Sequence, residues 1–164
     1  MAELRNSTLV FLVTKRGNVI ERICLAMKKR GFGKGRWNGA GGKVEAGESV
    51  EAAAKREVEE EIGVTLEQME KVAELEFTFP HNQAFDQRVH VYISEEWGGE
   101  ITESEEMKPE WFMVEEIPFK DMWADDEFWL PFVIAGEKVR GAFTFGEGDV
   151  VEKQNVSIVS DFNS

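Results

Sequence analysis

Four glutamates, Glu57, Glu59, Glu60 and Glu61, crowd into the end of the segment GKVEAGESVEAAAKREVEEEIGV, which runs from Gly42 to Val64 and otherwise has the pattern of an amphipathic helix. Ser49 is placed to cap that helix with its hydroxyl, and Gly63 to end it in left-handed geometry, which bounds a helix near residues 50–62. At about 100° per residue, Val50, Ala53, Ala54, Glu57, Glu60 and Glu61 share roughly one third of the circumference, so an apolar stripe turns acidic halfway along. The last turns also meet the negative end of the helix dipole, where each acid is disfavoured by about 0.3–1 kcal/mol. Lys55 and Arg56 are too few to neutralise the set. Hard oxygen donors without Cys or His partners suit Mg²⁺ or Mn²⁺, and the helix reads as a platform for a divalent metal. The plain alternative for an EEE run is a solvated acidic face.

Elements on either side must hold this helix in place. Thr8–Thr14 and Val19–Met27 are β-branched and apolar, are separated by Lys15-Arg16-Gly17-Asn18, and read as a hairpin. Residues 28–43 then supply six of the 19 bases and six of the 15 glycines. Such a loop can bring backbone amides and cations to phosphate oxygens, or can be a flexible surface loop. Beyond the helix, Val72–Phe79 and Arg88–Ile93 alternate as strands paired across residues 80–87, and Trp111–Val114 is another candidate. Asp125 can cap a helix running to about Ala135 and ended by Gly136, with Gly141–Phe145 and Val156–Val159 as closing strands. His81 and His90 read as exposed or structural, and without a metal-spaced His or Cys set zinc is not expected.

Composition sets the outer bounds. The 164 residues, 42% hydrophobic and 11% aromatic, allow a single domain over residues 1–164 with a sizeable core. A formal charge of −13 argues against partners such as nucleic acid or an anionic membrane surface, so an anionic substrate needs metal ions or a local basic patch. Cys24, the only cysteine, sits in an apolar run and reads as a buried structural thiol in a reducing, cytoplasmic setting. The run Leu9–Val13 is too short to span a bilayer and no cleavage site follows it. A monomer is the simplest expectation.

Written as a spacing, Gly42, five residues, Glu48, seven residues, Arg56-Glu57-Val58, one residue, Glu60-Glu61, one residue and Gly63-Val64 resembles the Nudix signature GX5EX7REUXEEXGU, U being aliphatic, at every specified position. The resemblance implies hydrolysis of a nucleoside diphosphate linked to another group, on an α+β fold in which an α/β/α sandwich surrounds a mixed β-sheet. It makes Glu57, Glu60 and Glu61 ligands of Mg²⁺ or Mn²⁺, pairs Arg56 with Glu48, and adds a carbonyl of Gly41 or Gly42 and the side chain of Glu106. Three further blocks, GFGKGRWNG, EMKPEWF and IPFKDMWADD, resemble the eukaryotic-type 8-oxo-dGTP diphosphatases of that family, over approximately residues 5–146. By that resemblance Asn38, Trp123, Asp125 and Asp126 line a base pocket, together with Thr8, Phe32, Phe77 and Phe79. The segment PHNQAFDQR is longer than in mammalian relatives, Ala40 replaces a bulky residue and so implies a wider pocket floor, and the tail beyond Glu147 departs.

The pocket chemistry is coherent on its own terms. A purine is flat and apolar on its faces, and stacking on Trp123 and a phenylalanine stabilises it by roughly 1–3 kcal/mol. The Asn38 amide can both donate to and accept from its edge. If Asp125 and Asp126 converge on one buried spot they cannot easily both ionise, so one keeps a proton and can donate it; the plain alternative is a helix cap. The expected reaction is metal-assisted hydrolysis of a purine nucleoside triphosphate, such as 8-oxo-dGTP or 2-oxo-dATP, to monophosphate and pyrophosphate, with Glu60, Glu61 or Glu106 taking the proton of the attacking water. Other Nudix substrates (an unmodified nucleotide, a dinucleoside polyphosphate, ADP-ribose) or a noncatalytic nucleotide sensor are the alternatives.

Overall fold

Alternating side chains make β1 (Arg5–Arg16) the central strand: Val10 and Leu12 are buried on one face and Phe11 and Val13 on the other. Gly17, at φ 64°, turns it into β2 (Val19–Lys28), which returns antiparallel. There follow β3 (Trp37–Asn38), α1 (Val50–Ile62), β4 (Thr65–Leu66), β5 (Glu70–Thr78), β6 (Gln87–Ser94), β7 (Trp97–Gly98), β8 (Met107–Met113), α2 (Asp126–Ile134), β9 (Lys138–Phe145) and β10 (Val151–Val159), in a computed structural model that describes residues 4–163. The outermost positions of the expected domain, 1–3 and 164, lie outside the described residues.

The main sheet runs β10-β9-β5-β6-β1-β2, with β3 and β8 both paired to β2, and β4 pairs with β7 separately. It is mixed, because β1 with β6 and β5 with β9 are parallel while the other pairs are antiparallel. On one face Ala54, Val58 and Ile62 of α1 pack with Val10, Leu12, Cys24 and Tyr92. On the other, Trp129, Leu130 and Val133 of α2 pack with Phe11, Val13, Leu75 and Val139. An α/β/α sandwich is therefore the observed architecture, as expected. Each fully buried Leu, Val or Phe in these layers contributes about 1.5–3 kcal/mol.

The second edge of β1 positions the site. Beyond Val13 that edge pairs with β2, but nearer the strand's start it is bridged at Val10 to Ala40 and at Ser7 to Lys43. The glycine loop is thus laid along β1 instead of hanging free. Strands outrun their sequence bounds, since pairing extends β1, β2, β9 and β10 past the apolar runs. Cys24 is buried, and burial pushes its thiol up to about 12, as befits a structural residue. Among the described residues no helix is long and apolar enough to cross a membrane.

Candidate active site

The helix α1 begins and ends as its chemistry dictates: Ser49 Oγ accepts from the Ala52 amide at 3.1 Å, and Gly63 adopts φ 75°. Its buried face is Ala53, Ala54, Val58, Glu61 and Ile62, which corrects the expected stripe: Val58 and Ile62 point inward, whereas the Glu60 side chain is 59% exposed. Glu61 is the acid this face carries into the core, where it is 3% exposed. Its Oε1 accepts from the Gly41 amide at 2.8 Å. Burial, with repulsion from Glu57 and Glu106, nevertheless pushes its carboxyl up to about 8.

Two glycines allow this approach. A Cβ on Gly41 would stand 1.9 Å from the Thr8 carbonyl oxygen, and one on Gly42 would stand 2.5 Å from the Glu57 carboxyl carbon. Thr8 and Gly42 are tied by the bond from the Thr8 amide to the Gly42 carbonyl at 2.8 Å. The Gly42 carbonyl is already engaged, so of the two expected carbonyl ligands Gly41 is the less committed.

Arg56 organises the remaining acids. Its Nε and Nη2 grip both oxygens of Glu48 at 2.8 and 3.0 Å, its Nη1 reaches Glu57 at 2.8 Å and Glu60 at 3.5 Å, and its Nη2 donates to the Lys43 carbonyl at 3.1 Å. The pairing of Arg56 with Glu48 is thus present, and it holds the Glu48 carboxyl down at about 2. Glu57 goes the other way: burial raises its pKa despite Arg56, with Glu60 and Glu106 adding repulsion. Glu106, just before β8, lies 3.9 Å from Lys28 and 3.5 Å from Arg30. Among the described residues no three acids are gathered into a ready ligand cage. What the geometry provides is a set of hard oxygen donors whose mutual repulsion is only partly offset, a donor chemistry that fits Mg²⁺ or Mn²⁺.

A cleft of about 330 Å³ adjoins this cluster through Gly41, Gly42 and Lys43. All eight expected pocket residues line it: Thr8, Phe32, Asn38, Phe77, Phe79, Trp123, Asp125 and Asp126. Asn38 Oδ1 accepts from the Gly39 amide at 2.9 Å, so its acceptor end is already used within the loop. Asp125 is not the helix cap that its position suggested: its own backbone is helical, and its Oδ2 accepts from the Trp129 indole at 2.8 Å. Asp126 is 2% exposed, and its Oδ2 has no hydrogen-bond partner among the described residues. Burial raises both carboxyls, and burial together with repulsion from Asp125 pushes Asp126 well above the ordinary carboxylate range. Ala40 is not in the pocket floor; it is buried with α1 in the opposite core.

Two pocket residues had not been singled out. Phe85, in the loop after β5, stacks on Phe32 at 3.9 Å and 5°, held where the Asp86 carboxylate accepts from the Phe79 amide at 2.6 Å. A lone aromatic in an otherwise polar stretch was the available signal. Arg36 places its guanidinium over the Trp123 ring, 4.2 Å from the centroid. The cationic loop is less free than its composition suggested, since Lys28, Lys29, Arg30 and Arg36 all pair with acids, while Lys28, Arg36 and Lys43 still line the cleft.

Comparison with known proteins places this geometry. A model of the NUDIX domain matches residues 3–132. The chain is 42% identical over 142 residues to a protein of Mus musculus named oxidized purine nucleoside triphosphate hydrolase, covering 87% of this chain and 90% of that one. It is 43% identical over 141 residues to the protein of the same name from Danio rerio, covering 85% and 89%. Among solved structures it is similar to a mutator MutT protein from Bacillus halodurans, with a TM-score of 0.79 and 25% identity over 94% of this chain and 98% of that one. A MutT NUDIX hydrolase from Burkholderia pseudomallei gives a TM-score of 0.63 at 28% identity, over 71% and 88%.

Proposed function

Since the chain belongs to the Nudix hydrolase family, we propose that it hydrolyses oxidised purine nucleoside triphosphates, such as 8-oxo-dGTP and 2-oxo-dATP, to the monophosphate and pyrophosphate. The observation that carries this reading is the buried Asp125-Asp126 pair at the wall of an aromatic cleft that opens onto the α1 acids. An oxidised purine differs from its parent in the donors and acceptors on its edge. Two adjacent buried acids, one accepting from Trp129 and the other favouring its protonated form, can answer either pattern by where the proton sits. The identity with two proteins named for this activity supports the same substrate class.

Nudix hydrolases generally use divalent metals, and Glu57, Glu60, Glu61 and Glu106 with the Gly41 carbonyl would hold Mg²⁺ here, or Mn²⁺. When bound, the ion neutralises phosphate charge and acidifies a water. Arg56 keeps Glu57 oriented, Glu48 keeps Arg56 in place, and Lys28 and Lys43 face the phosphate end of the cleft. Glu60, Glu61 or Glu106 would take the proton of the attacking water. The protein acts as a cytoplasmic monomer on free nucleotides, its −13 charge opposing polyanionic partners.

A panel of 8-oxo-dGTP, 2-oxo-dATP and their parents, with pyrophosphate release measured with and without Mg²⁺, tests this. Equal rates on oxidised and normal purines would sink the substrate assignment. Glu57→Gln and Glu61→Gln should bind nucleotide yet release no pyrophosphate, and retained turnover in both would remove the metal assignment.

A further inference from the structure

Asp149 is the only non-glycine residue at positive φ among the described residues, at 59°, next to Gly148 at 73°. An aspartate tolerates that region better than most side chains, but the conformation still has a cost, and here it places the carboxylate against another group. Asp149 Oδ2 accepts from Arg36 Nη1 at 3.0 Å. Arg36 in turn lies over the Trp123 ring, so three residues from the glycine loop, the segment before α2 and the turn before β10 form one chain. The remaining surroundings of the indole are tight: a Cβ on Gly33 would approach Trp123 Nε1 to 3.2 Å, Phe32 lies tilted against the ring at 4.9 Å, and Phe145 and Phe79 meet it edge-on at 5.7 and 6.3 Å.

We propose that Asp149 is a positioning residue for the base pocket, acting through Arg36: it fixes the guanidinium on one face of Trp123, which orients the indole and leaves its other face to stack on the base. Resting on the function proposed above, this assigns to the C-terminal segment a part in substrate affinity although Asp149 does not line the base cleft. Without that anchor the Arg36 side chain, 31% exposed, is free to sample many rotamers. Held by a carboxylate it is a fixed cation, and a cation over an indole is most attractive when its position is set.

The test uses the full chain and the variants Asp149→Asn and Arg36→Met. Asparagine tolerates φ 59° and matches the shape, so only the charge of the anchor is lost. In the free protein, the Trp123 indole N–H resonance, assigned by its disappearance in Trp123→Phe, should shift in both variants. With the nucleotide that the wild type hydrolyses best, each should raise KM about three- to tenfold while kcat stays within about twofold. The double variant should be no worse than Arg36→Met alone, because the two act as a unit. An unmoved indole resonance, a KM that is unchanged or lower, or additive losses would overturn the proposal. A wild type without activity on any nucleotide would overturn the functional reading instead, and the indole shift, which needs no substrate, would still decide this one.

Discussion

The Gly41 amide donates to the buried Glu61 carboxylate, joining the glycine loop to the last turn of α1. This contact exists because residue 41 has no side chain: β1 runs directly beneath it, and a Cβ would fall 1.9 Å from the Thr8 carbonyl oxygen, where nothing flexible can yield. Gly41→Ala is therefore expected to push the loop off β1, at a cost of about 3 kcal/mol or more, and to remove activity with it. Urea unfolding of the variant measures the first, and pyrophosphate release the second.

Arg56 connects four carbonyl or carboxylate groups, and only a planar guanidinium can hold both Glu48 oxygens while also reaching Glu57. Arg56→Lys keeps the charge but loses the fork. Turnover should fall about 10- to 100-fold, mostly in kcat, because Glu57 loses its orientation beside the reacting phosphate. A kcat within twofold of wild type would mean that Arg56 serves stability alone.

The helix and its caps were legible because capping is local chemistry: Ser49, Gly63 and the residues between them carry the whole signal. The buried face was legible only in part. Where α1 meets β1, the Ala54-Val58-Ile62 row packs and turns Glu60 outward, a choice made by the partner surface and not by the helix itself. Asp125 shows the same limit, since a cap position and a bond to an indole four residues on compete, and only the packed core selects the indole. The loop glycines were expected to bring amides to an anion. One of them instead donates to an acid of the same chain, Glu61. Phe85 showed only as a lone aromatic in a polar stretch and Arg36 only as one base of a cationic loop, since each gains its place in the pocket from a ring far away in sequence.

His90 makes the fold sensitive to acid. Its Nδ1 is 2.9 Å from Lys71 Nζ and its Nε2 is 2.9 Å from Asn6 Oδ1; burial and the Lys71 charge push its pKa from 6.5 to about 4, against the weaker opposing pull of Glu74. Between those values the unfolded chain binds the proton and the folded chain does not. The stabilisation is complete above pH 6.5 and is lost as pH falls towards 4, by at most about 3 kcal/mol. Glu74, held below its usual range by Lys71 and Arg140, acts in the same direction lower down. His90→Gln should flatten the decline between pH 6.5 and 4 in denaturant midpoints, and an identical slope would show that other groups cause it.

Asp126 has the opposite sign. Burial and the Asp125 charge hold its folded pKa well above the ordinary carboxylate range, so its share of stability is complete at acid pH and is lost as pH rises. Asp126→Asn removes the loss. Its melting temperature should exceed that of the wild type at pH 7–8, with the gap closing towards pH 4. The partnerless Oδ2 is where a substrate donor would bind, so kcat/KM on the preferred oxidised purine should fall by at least about tenfold, and more than on the unmodified parent. A uniform loss across the panel would mean that this oxygen does not read the base.

Phe85 tests whether the long loop after β5 belongs to the pocket. Its ring lies flat on Phe32, itself 41% exposed at the cleft rim, and the loop carrying it is pinned independently by Asp86 to the Phe79 amide. Phe85→Ala should leave the loop in place and cost the fold about 1–3 kcal/mol, the value of its two ring pairs with Phe32 and Phe79. Phe32 then keeps only its tilted contact to Trp123 and its edge contact to Phe79 and loses its one parallel stack, so KM for purine nucleotides should rise about threefold or more, with kcat little changed. Phe85→Tyr restores the flat ring and should restore KM. A variant Ala protein with wild-type KM, or a Tyr protein that fails to recover it, would place Phe85 outside substrate binding and leave the loop as a cover for Phe79 alone.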